Sequence, residues 1–113
     1  MSAMSRRKGK VGERMLAADL REAFPELAEQ IRRGWQAREG DDDPDVLGVP
    51  GFWFESKFIA RYNTSALDQA REAAKGRGTP IAVIRANRKQ PVAMLDWADL
   101  LRLLVAARGG TPL

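Results

Sequence analysis

The sequence predicts one α/β (α+β) domain in the order α, three strands, α, two strands, α (αβββαββα), and three observations carry that reading. Apolar residues recur at helical spacing at both ends of the chain, as Leu16, Leu20, Ala23, Phe24 and Leu27 and again as Trp97, Leu100, Leu101 and Leu104. Phe52 to Ile59 is enriched in aromatic residues, the mark of a strand. Ile81 to Ile84 is a short unbroken apolar run, as expected of a central strand buried on both faces. With 113 residues the chain has room for a single core that buries roughly 60–70% of the unfolded surface, and none for a second. The expected organisation is a basic N-terminal tail over 1–9, a domain over 10–108 and a C-terminal tail over 109–113.

The first helix is expected from Lys10, with Pro25 breaking or restarting it near Phe24. Extending its apolar stripe backwards lands on Glu13, an acid on the inward face. Such an acid either serves the first turn of the helix dipole and reaches water, or points over the sheet. Gly9 and Gly12 just ahead would let another backbone or a phosphate approach closely. Ile31 to Arg38 is expected as the first strand, with Trp35 and Ala37 alternating against Gln36 and Arg38.

An acidic, turn-rich loop follows, Gly40-Asp41-Asp42-Asp43-Pro44-Asp45, then a very short strand at Val46-Leu47. Asp41 and Asp42 are expected to be solvated, whereas Asp45 stands at the edge of a strand. Gly48 and Gly51 bracket a hairpin that returns the chain into Phe52–Ile59, an antiparallel pairing that brings Asp45 near Glu55. Strand alternation places Phe52, Phe54, Ser56 and Phe58 on one face and Trp53, Glu55, Lys57 and Ile59 on the other. A carboxylate and an ammonium on a half-buried strand need compensation, by each other, by a metal or by a phosphate. Trp53 shares their face, where core packing is its first reading and walling a cleft or touching DNA the alternative.

Ser65-x-x-Asp68 resembles a capping box at the start of the second helix, whose inward face is Ala66, Leu67, Ala70, Ala73 and Ala74 and whose end is marked by Gly76 and Gly78. Gln69 flanks that face, either exposed or aimed into a cleft. Asn87 to Gln90 is a basic turn between the last two strands, and Asp96-x-x-Asp99 is expected to cap the last helix.

The chain has no Cys and no His, which excludes disulfide scaffolds, zinc sites, cysteine nucleophiles and histidine general bases. Catalysis, if present, falls to carboxylates, Lys, Arg, hydroxyls or a hard metal bound through oxygen, such as Mg2+ or Mn2+. A net charge of +4 and a pI near 10.0, with basic groups at Arg6, Arg7, Lys8, Lys10, Arg33, Arg85 and Arg88, favour a polyanionic partner. No apolar run reaches the roughly 20 residues needed to cross a bilayer. No apolar segment of signal-peptide type opens the chain, and a cytoplasmic protein is expected.

Phosphodiester hydrolysis without histidine is most economically served by divalent ions held by carboxylates, with an ammonium near the attacking water. Asp45, Glu55 and Lys57 are such a set. Asp45 and Glu55 would bind the ion, the Ser56 carbonyl would add a ligand, and Glu13 would bind through water or hold a second ion. Lys57 would orient or help deprotonate the water.

Pro44-Asp45 and Glu55-x-Lys57, preceded by a helix bearing Glu13 and followed by one bearing Gln69, resemble the PD-(D/E)XK nuclease superfamily. The basic start with Gly9-x-x-Gly12-Glu13 and the small size are most similar to its Holliday junction resolvase and phage-type endonuclease branch. The resemblance spans Lys8 to about Leu104. It implies a restriction-endonuclease-like mixed sheet flanked by helices, a catalytic set of Glu13, Asp45, Glu55, Lys57 and Gln69, and magnesium-dependent cleavage of DNA, branched DNA in particular. It also implies a homodimer that cuts two strands symmetrically in DNA recombination, in a bacterial or phage-infected cell. The rival readings are a DNA-binding or assembly module on the same fold without catalysis, and a nuclease for plain duplex or DNA ends.

Overall fold

The computed structural model describes residues 3–34, 43–60 and 62–109, with side chains from residue 9 onward. In chain order the elements are α1 (Ala3–Ala23), a 3-10 turn (Pro25–Leu27), β1 (Arg32–Arg33), β2 (Val46–Leu47), β3 (Phe52–Phe58), α2 (Ser65–Ala74), β4 (Thr79–Arg85), β5 (Val92–Met94) and α3 (Trp97–Ala107). The five strands form one sheet in sequence order. All neighbours are antiparallel except β3 and β4, which are parallel with α2 as their crossover, so the sheet is mixed as expected.

Helix α1 covers one face of the sheet. Leu16, Ala17 and Leu20 pack with Ile31, Val46, Val49 and Phe54, and Phe52, Ile81 and Val83 join from the strands. Helix α2 covers the other face, where Ala66 and Leu67 meet Ala82 and Ile84. The apolar run of β4 is thereby divided, Ile81 and Val83 towards α1 and Ala82 and Ile84 towards α2. Glycine sets the approach of α1: a Cβ on Gly12 would stand 3.0 Å from Ser56 Oγ. The close approach foreseen there is by the helix's own sheet. Gly48 is constrained differently, with φ +111° and a Cβ that would fall 2.4 Å from the Gln30 carbonyl oxygen, so only glycine fits the turn leaving β2.

Four expectations differ from the structure. Helix α1 begins at Ala3, well ahead of Lys10. The basic segment carries good helix formers and no proline, so the helix propagates beyond its apolar stripe. Strand β1 is confined to Arg32–Arg33, and Trp35, Gln36, Ala37, Arg38, Asp41 and Asp42 lie outside the described residues. The expected caps are not made: the N-caps Thr64 and Asp96 have no side-chain capping bond. Asp68 and Asp96 both accept from the Arg71 guanidinium, and Asp99 pairs with Arg102, because a charge-assisted bond outcompetes a neutral backbone N–H. Finally, α3 buries none of its residues, and its stripe of Trp97, Leu101, Leu104 and Val105 stays exposed, Trp97 at 66%. Among the described residues, no helix is long and apolar enough to cross a membrane.

Candidate metal-binding carboxylate site

Asp45 stands where three strands meet. Its carbonyl accepts from Gly34 N at 2.9 Å, and its own N–H donates to the Phe54 carbonyl at 3.0 Å, so its backbone links the end of β1 to β3. Pairing between β2 and β3 is anchored at Val46 opposite Phe54 and does not run on to Ser56. The Asp45 side chain supplies the missing acceptor: Oδ2 takes the Ser56 N–H at 2.8 Å. One short polar side chain thus continues the ladder and brings a carboxylate alongside Glu55.

Glu55 and Lys57 sit opposite Ala82 and Ile84 of β4, which places both on the α2 face of the sheet, as strand alternation requires. Burial and the adjacent Asp45 carboxyl, which also hydrogen-bonds it, raise the Glu55 pKa from 4.5 to about 8. The indole N–H of Trp53 works against that rise, donating to Glu55 Oε1 at 3.4 Å. Trp53 itself is buried on this face, in agreement with core packing.

Glu13 is half-buried on α1. Burial first, then the charge of Asp45, raise its pKa, against the pull of Arg33 and Lys10. Its Oε1 receives both Nε and Nη2 of Arg33 at 3.0 Å. The inward acid therefore lies within the field of Asp45 and is paired with Arg33 of β1.

The other candidates fall differently. Arg33 is the partner of Glu13, so its guanidinium is not a free surface cation for a phosphate backbone. Arg85 is 5% exposed and donates through Nη2 to Asp19 on α1 at 2.8 Å. It ends β4 on the α1 face of the sheet, largely covered there. Lys10 and Arg88 are exposed, Arg88 in the left-handed conformation of the basic turn with φ 62°. Gln69 is exposed on α2, beside the buried Ala70. The side chains of Arg6, Arg7 and Lys8 lie outside the described residues. Sequence reasoning passed over Arg33 as the counter-ion of Glu13, for which the strand boundary gave no signal. It also passed over the Trp53 N–H, whose i, i+2 relation to Glu55 was legible.

Among the described residues no group of three acids stands close enough to ligate one ion together. The donor set is instead two carboxylates, Asp45 and Glu55, with the Ser56 backbone beside them. That fits magnesium, which is commonly bound through one or two carboxylates and keeps several of its waters. The mutual repulsion of the two acids is the chemical sign of a place that a cation would stabilise.

In fold the chain is similar to Hjc, a Holliday junction resolvase from Archaeoglobus fulgidus, an archaeal hyperthermophile. The TM-score is 0.54 and the identity 20%, over 78% of this chain and 72% of the other. No protein-family model and no curated protein matches the chain. The mixed five-stranded sheet flanked by helices is thus a resolvase-like, restriction-endonuclease-like fold.

The raised Glu55 pKa has a consequence for stability. Between about pH 4.5 and 8 the folded protein holds a proton on Glu55 that the unfolded chain has released, so stability falls as pH rises through this window and levels off above it. In EDTA, the Tm advantage of wild type over Glu55→Gln is expected to shrink from pH 5 to pH 8. A difference that stays flat or grows would contradict the assignment.

Proposed function

We propose that this chain is a metal-dependent endodeoxyribonuclease that hydrolyses DNA phosphodiester bonds, with branched DNA of the four-way-junction type as its preferred substrate. The observation that carries the reading is the Asp45–Glu55 pair, two carboxylates held against each other at the start of β2 and on the central strand β3, with Lys57 two residues along the same face. Asp45, Glu55 and the Ser56 carbonyl would hold Mg2+ or Mn2+, and Glu13 would act on that ion through water. The ion would supply Lewis acidity and a water of lowered pKa. Lys57 would hold the attacking water and offset the negative charge that develops on the phosphoryl oxygens. Lys10 and Arg88 on the surface, with Arg6, Arg7 and Lys8, would meet the phosphate backbone. Junction selectivity rests on the likeness in fold to the archaeal resolvase.

One observation favours a DNA-binding module without catalysis: Glu13 is neutralised by Arg33 instead of being left for an ion. Against it stands the presence of all three residue types the chemistry needs, Asp45 bonded beside Glu55 and Lys57 on the same strand face. Cleavage separates the two. With Mg2+ or Mn2+ the protein is expected to cut a synthetic four-way junction faster than its component duplexes, EDTA to stop it, and Lys57→Ala to lower the rate at least about 100-fold with DNA affinity nearly unchanged. Turnover that persists in EDTA, or in Lys57→Ala, contradicts the mechanism, and binding without any cleavage supports the module.

The exposed stripe of α3 supports a homodimer, since large contiguous apolar surface on a small domain marks an interaction site. Paired around a two-fold axis, the stripes of two copies would cover each other. Light scattering is expected to give twice the 12.6 kDa chain mass for the wild type and the single mass for Leu101→Glu/Leu104→Glu. A monomeric wild type would contradict the dimer.

A further inference from the structure

We infer that Trp53 is a positioning residue for Glu55, and that Arg77 in turn fixes Trp53. This rests on the reading of Asp45 and Glu55 as a metal site. Trp53 is 5% exposed, and a buried indole N–H requires an acceptor. The acceptor is Glu55 Oε1, two residues along on the same strand face. At 3.4 Å the bond is longer than the usual range of about 2.7–3.2 Å for N–H···O, and it would tighten as the carboxylate takes up its full charge.

The other side of the ring is held as well. The guanidinium of Arg77 stands 4.5 Å from the Trp53 ring centroid, within cation–π reach. Arg77 is anchored at the C-terminal end of α2, its Nε donating to the Ala74 carbonyl at 3.1 Å and its Nη2 to the Ala73 carbonyl at 2.8 Å. These carbonyls belong to the last turn of the helix, where that of Ala74 also accepts the Arg77 backbone N–H at 2.8 Å, and the helix dipole favours a cation there. A continuous line of contacts therefore runs from the end of α2 through Arg77 and Trp53 to one oxygen of Glu55.

The consequence is a division of labour over the two acids. Asp45 is oriented by a backbone N–H and Glu55 by an indole N–H, so that each carboxylate has a donor fixing one of its oxygens. A phenylalanine would keep a six-membered aromatic ring for the Arg77 cation and most of the packing of Trp53, yet would leave Glu55 Oε1 without its donor. Core packing alone demands the ring, whereas positioning demands the N–H.

The test is the Mn2+ dissociation constant of the full chain, read from free Mn2+ by electron paramagnetic resonance, together with Tm. Trp53→Phe is expected to weaken Mn2+ binding about 10-fold, the scale on which partners of metal ligands act, while remaining folded. Arg77→Gln, which leaves the indole in place, is expected to weaken it about 3-fold, and it carries the test should Trp53→Phe not fold. Wild-type affinity in the folded variant overturns the inference and leaves the metal site standing. A wild-type chain that binds no Mn2+ overturns the metal reading, and this inference with it.

Discussion

The bond from Ser56 N–H to the Asp45 carboxylate is the interaction on which the site depends. It exists because β2 is only two residues long, so that β3 outruns its neighbour and needs an acceptor that no backbone carbonyl supplies. Asp45 meets that need with a side chain, and in doing so is fixed beside Glu55. The electrostatic cost of the site is thus written into the hydrogen-bonding of the sheet. Removing the carboxylate would leave a strand N–H short of a partner as well as relieving the repulsion, and the two effects oppose each other.

That cost is distributed unevenly. Glu55, buried against Asp45, is pushed into the range where it holds its proton near neutral pH, whereas Glu13, also raised, has Arg33 pulling against the rise. An acid whose pKa is raised by burial and a neighbouring carboxyl, as Glu55 is, is a poor device for stability and a good one for capturing a cation, because a divalent ion replaces its proton. Arg33 and Arg85, expected to face a polyanion, are instead paired within the chain with Glu13 and Asp19. The polyanion-facing charge of the described residues is correspondingly smaller than composition suggests.

Much of this was legible in the sequence, and for identifiable reasons. Period-two alternation placed Glu55 and Lys57 on one face, and the short hairpin brought Asp45 to Glu55, because both follow from local geometry with few alternatives. The inward position of Glu13 followed from a strong helical period. What escaped were pairings between elements distant in the chain. Arg33 on Glu13, Arg85 on Asp19 and Arg71 on Asp96 each depend on which long side chain the packed fold brings within reach, and no spacing rule records that. The last helix shows a different limit: an apolar stripe says that a face will be covered, and leaves open whether its own domain covers it.

The central claim, that Asp45 and Glu55 form a charge-strained pair awaiting a cation, is most directly tested by counting the protons released when Mn2+ binds. Calorimetric titration at pH 7 in buffers of different ionisation enthalpy measures this number. With Glu55 titrating at about 8, binding is expected to release about 1 proton per ion at pH 7, roughly half as many at pH 8 and almost none at pH 9. Binding without proton release, or with a release that does not change across this range, would contradict the account.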